Sequence, residues 1–322
     1  MACYAPARAG GRCAHPARLH AGPLVTHATT DRPHRAAAFW ELTKPGIARL
    51  VLVTAAAGYY LGSRDGFDLP RFFRTLLGTA LVAAGAGALN HVRERDVDAR
   101  MDRTRDRPLP SGRLTLRAAA IFATTTACAG VGYLAWQVNV LTAVLAALTV
   151  ASYIFLYTPL KRRTSLNTLV GAVPGALPIL GGWTAAGAPI DAIAMSLFWI
   201  LFLWQLPHFL ALAWLYREDY RRGGFAMLSV NDESGYATGR MALLYATTLL
   251  PVSLLPTLLG LTGTVYFWGA LALGLLYAGV SASLMRSATP RLARRLFVAS
   301  ITYLPLLLTL MVLNKRVLLP VP

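Results

Sequence analysis

The chain has 322 residues, 56% hydrophobic and only 14% charged, with a formal net charge of +17 and a mean hydropathy of +0.50. That is the composition of a membrane protein, and its surplus of base reads as topology and attraction to anionic lipid headgroups, not as a nucleic-acid surface. Three scattered cysteines, Cys3, Cys13 and Cys128, make neither a disulfide framework nor a zinc site.

Residues 1–37 are expected to be a disordered basic cytoplasmic tail: Met1 to Thr30 carries arginines, small residues and prolines, no acid, and few apolar groups from which to build a core. It faintly resembles an organellar transit peptide, and the lack of an apolar h-region speaks against a cleaved secretory signal. Residues 38–316 are expected to form one transmembrane domain. Nine apolar stretches approach the ~20 residues that cross a bilayer as helix: 47–61, 76–90, 118–136, 140–157, 169–186, 193–214, 241–260, 265–284 and 297–314. With the N-terminus in the cytoplasm, 26 of the 31 lysines and arginines fall on one side and five on the other, as the positive-inside rule asks. The fold class expected is therefore all-α: a polytopic bundle of nine transmembrane helices with a cytoplasmic N-terminus.

The first span is announced by Phe39-Trp40-Glu41-Leu42-Thr43-Lys44-Pro45, an aromatic and lysine pair at the interface and a proline suited to a helix start. Anchoring explains it without chemistry. The second span is rich in glycine and alanine, which let helices approach closely, and it delivers the densest charge in the chain, Asn90 to Gly112 with Arg113 beyond. Five acids (Glu94, Asp96, Asp98, Asp102, Asp106) and seven arginines stand there. Continued as a helix, Asn90, Glu94 and Asp98 share one face. That face can hold a hard cation such as Mg²⁺, which is usually bound by one or two carboxylates together with substrate phosphates. Arg103 and Arg107 follow, four apart, and a guanidinium fork matches phosphate oxygens. Acids then arginines read as a metal-diphosphate cradle; the bland alternative is a solvated loop of local ion pairs.

After two more spans, Tyr157-Thr158-Pro159-Leu160-Lys161-Arg162-Arg163-Thr164 returns to the same side. Arg162 and Arg163 satisfy the positive-inside rule; Lys161 either does the same or reaches a diphosphate at the first cluster. The fifth span opens with two glycines and two prolines in eight residues, Gly171, Pro174, Gly175 and Pro178. A broken helix of this kind is tolerated where it is buried in protein or lines a cavity.

The sixth span carries Trp204-Gln205-Leu206-Pro207-His208-Phe209, with Gln205 and His208 on one helical face beside a proline kink. An ionisable group at membrane depth is a functional candidate; the alternative is a core histidine bonded to a backbone carbonyl. The span ends at Tyr216-Arg217-Glu218-Asp219-Tyr220-Arg221-Arg222, a second cluster of acids and arginines. Four spans separate the clusters, which suggests two loosely similar four-helix units plus a ninth helix. Asp232 and Glu233 are expected to face solvent, and spans seven to nine to be scaffold.

These motifs resemble those of the intramembrane prenyltransferases, and most closely the haem branch, the protohaem IX farnesyltransferases. The resemblance spans residues 39–314 and rests on five ordered motifs, at 40–45, 90–109, 157–164, 170–178 and 204–220. It implies that Asn90, Glu94, Asp98 and Asp219 hold Mg²⁺, that Arg103, Arg107 and Lys161 bind diphosphate, and that His208 and Gln205 meet haem. It implies farnesyl diphosphate and protohaem IX (haem b) as substrates, membrane lipid as surroundings, a haem A synthase as user of the product, and the bacterial inner membrane, with the mitochondrial one as alternative. Gly223 stands where the quinone branch has a second aspartate four residues after Asp219, which weakens a second metal site, and Ser229 stands where the haem branch tends to have proline. A quinone-precursor prenyltransferase and an anion transporter remain the competing readings.

Overall fold

The structure, a computed structural model, describes residues 32–64 and 66–316. The helices are α1 (Arg32–Leu42), α2 (Pro45–Gly62), α3 (Leu69–Asp98), α4 (Leu116–Gln137), α5 (Val140–Ala151), α6 (Thr158–Leu160), α7 (Asn167–Ala185), α8 (Ala192–Leu215), α9 (Arg217–Arg222), α10 (Leu228–Asn231), α11 (Tyr236–Leu258), α12 (Thr264–Arg286) and α13 (Pro290–Leu313). A π-helical turn, Ser152–Tyr157, joins α5 to α6. Of the expected tail, residues 1–31 lie outside the described residues, and 32–37 are helical in α1.

Local chemistry sets the helix starts. Asp68, Thr115, Asn139, Asp191 and Thr289 each accept a backbone N–H of the first turn of α3, α4, α5, α8 and α13, which satisfies donors the helix leaves unpaired. Pro45 and Pro290 open α2 and α13, where a missing N–H costs nothing.

Eight helices among the described residues are long and apolar enough to cross a membrane: α3, α4, α5 continued through α6, α7, α8, α11, α12 and α13. The first expected span forms α2, whose 18 residues fall within the length range of a crossing helix but which Pro45, Arg49 and three glycines make less apolar than those eight. Large apolar side chains such as Phe155, Leu276 and Trp268 face outward, as lipid requires. α2 packs on α7, α3 on α4, α8 on α11 and α13, and α11 on α12. Close approach rests on small residues: a Cβ at Gly182 would stand 1.9 Å from the Ala55 carbonyl oxygen, and one at Gly85 2.5 Å from the Ala127 nitrogen.

Candidate active site

A cavity of about 500 Å³ opens inside the bundle. Its polar lining comes from Lys44, Asn90, Glu94, Asp98, Arg103, Arg107 and Lys161, and its apolar wall from residues such as Val82, Ala86, Leu134, Leu145 and Leu177. Because α3 runs unbroken through Asp98, Asn90, Glu94 and Asp98 do share a face, and all three are buried.

Each is matched by a base. Arg107 Nη1 donates to both Asp98 carboxylate oxygens, at 2.9 and 2.8 Å. Lys161 Nζ donates to Glu94 Oε1 at 2.8 Å. Lys44 Nζ donates to Asn90 Oδ1. The Thr158 hydroxyl donates to the Tyr153 carbonyl at 2.8 Å, so it accepts from Asn90 Nδ2 at 3.3 Å, which turns Asn90 Oδ1 to the Lys44 side. Arg103 lies over the Tyr216 ring, 5.0 Å from its centroid.

Burial pulls the Lys44 ammonium down to about 7, against the opposing pull of Glu94. Burial also disfavours the charge of Lys161, but Glu94 and the phenols of Tyr157 and Tyr153 outweigh it and hold Lys161 above the ordinary lysine range. The oxygen donors of Asn90, Glu94 and Asp98 suit a hard cation, although among the described residues no three acids, histidines or cysteines converge. Asp219, expected as a further ligand, does not line the cavity; its neighbour Tyr220 does.

Gln205, on α8, uses Nε2 to donate to the Ala172 and Leu201 carbonyls at 2.8 and 3.1 Å, so its amide ties α8 to α7. His208 lines the cavity with Nδ1 2.7 Å from Ser300 Oγ, a hydroxyl and not the backbone carbonyl of the bland reading. It stacks on Trp204 and Phe297, with centroids 5.5 and 4.9 Å away. α13 is therefore more than scaffold. Lys44, Tyr153, Tyr157, Phe297 and Ser300 were not among the expected site residues; Lys44 stood in the 40–45 motif but was read as an anchor, and the tyrosines form an i, i+4 pair in an apolar span. Asp232, expected in solvent, is half-buried and caps α11, accepting from Thr238 N at 2.7 Å and Gly235 N at 3.0 Å.

Residues 51–306 match the model of the UbiA prenyltransferase family. The chain belongs to the UbiA prenyltransferase family. A UbiA relative from Solibacter usitatus, named protohaem IX farnesyltransferase, is 46% identical over 286 residues, covering 85% of this chain and 97% of its own. Among solved UbiA-fold structures, one concerning digeranylgeranylglyceryl phosphate synthase aligns with a TM-score of 0.74 at 16% identity, over 87% of this chain and 98% of that one. A UbiA homolog from Archaeoglobus fulgidus bound to GPP and Mg²⁺ aligns with a TM-score of 0.64 at 15% identity, over 85% and 99%. These two structures show the fold alone.

Proposed function

We propose that this multi-pass membrane protein transfers the farnesyl group of farnesyl diphosphate to the 2-vinyl group of protohaem IX, releasing diphosphate and giving haem O as water adds. The observation that carries the reading is a set of paired acids and bases lining an otherwise apolar cavity that holds His208, together with the name of the 46% identical relative.

Asn90, Glu94 and Asp98 would hold Mg²⁺, which when bound neutralises charge on the leaving diphosphate. Arg107 and Lys161 would leave their carboxylates for phosphate oxygens, joined by Lys44 and Arg103. The apolar wall excludes water while the C1–O bond breaks, and His208 would meet the haem. The reading includes nine crossings, a cytoplasmic N-terminus, a tail ahead of α1 followed by one transmembrane domain, the bacterial inner membrane, and a haem A synthase that takes the product.

Purified protein incubated with farnesyl diphosphate, Mg²⁺ and haem should release pyrophosphate and yield a hydroxyethylfarnesyl haem by mass. Pyrophosphate release that needs an aromatic quinone precursor in place of haem would overturn the assignment.

A further inference from the structure

His208 is caged by aromatic rings, and its one side-chain hydrogen bond to the protein among the described residues is Nδ1 to Ser300 Oγ at 2.7 Å. Ser300 is fully buried, and its hydroxyl donates to the Phe297 carbonyl at 2.6 Å. A hydroxyl has one proton. With that proton committed to a carbonyl, Ser300 Oγ can only accept from the ring, so Nδ1 carries the imidazole proton and the lone pair falls on Nε2.

We propose that Ser300 is a positioning residue that locks His208 in the Nδ1–H tautomer and so presents the Nε2 lone pair to the cavity as a ligand for haem iron. The iron ligation rests on the proposed function; the tautomer does not. Partners of this kind fix ring orientation and raise basicity, and losing one costs about 10–100-fold in affinity. The Trp204 indole donates to the Ser300 carbonyl at 2.7 Å, which fixes α13 against α8 at this level.

The test uses the full chain labelled with ¹⁵N-histidine, the His208 signals being assigned by their loss in His208→Gln. The parent and Ser300→Thr should show protonated Nδ1, and Ser300→Ala a mixture of tautomers. Nε2–H in the parent, or pure Nδ1–H in Ser300→Ala, overturns the proposal. In parallel, haem titration followed at the Soret band should show about 10–100-fold weaker binding in Ser300→Ala, restored in Ser300→Thr. If the tautomers behave as expected but haem binding is unchanged in both Ser300→Ala and His208→Gln, the tautomer lock stands and it is the haem-ligand reading that fails.

Discussion

Lys161 and Glu94, 67 positions apart, form a buried ion pair with Nζ 2.8 Å from Oε1. Arg107, itself partly exposed, pairs with the buried Asp98 at the next turn of α3. Breaking a buried pair by removing one partner strands the other charge, so the acids and bases of this site hold one another in place.

Asp98→Ala should cut turnover sharply while the protein still inserts and folds, because the Arg107 guanidinium it strands is partly exposed and can be solvated. Losing several kcal/mol of charge stabilisation lowers the rate by about 10²-fold or more. Asp96, exposed and paired among the described residues only with its neighbour Arg95, should tolerate alanine. Full Mg²⁺-dependent activity in Asp98→Ala would remove it from the site.

Arg107→Lys keeps charge and loses the fork. The Michaelis constant for farnesyl diphosphate should rise about tenfold, the loss of one charge-assisted bond. Arg103→Lys, which also loses its seat over Tyr216, should act in the same direction. Steady-state kinetics at saturating Mg²⁺ checks both.

Lys44 has left-handed backbone, φ 51°, uncommon outside glycine, and this turn between α1 and α2 swings its ammonium to Asn90. Lys44→Met should weaken diphosphate binding about tenfold with unchanged thermal stability. Equal affinity in parent and variant, measured by calorimetry, would leave Lys44 as an anchor.

Gly182→Ala forces a Cβ against the backbone of α2, 1.9 Å from the Ala55 oxygen, and should destabilise by about 1–3 kcal/mol. Gly132→Ala, with nothing within 4 Å, should be neutral or slightly stabilising. Thermal unfolding in detergent compares them.

Asp232 should make stability acid-sensitive. Burial pushes its carboxyl up, but hydrogen bonds from Thr238, Ser234 and Gly235 bring it below the ordinary aspartate value. Its contribution is present above the unfolded pKa, about 3.9, and is lost as pH falls through the lower folded value. Asp232→Ala should cost about 1 kcal/mol near neutral pH and flatten that acid limb.

The shared face of Asn90, Glu94 and Asp98 was legible because one helix fixes it: spacing alone sets direction within a single element. The membrane character was legible for a similar reason, since apolar runs and the sidedness of lysine and arginine are properties of the chain itself. The site roles of Lys44 and Ser300 were not, because they depend on partners 46 and 92 positions away, and no local pattern encodes which helix faces which. The same holds for Asp219, which the motif offered as a ligand but whose side chain is absent from the cavity wall. Only the packing of α2, α3, α8 and α13 decides which polar groups the cavity receives.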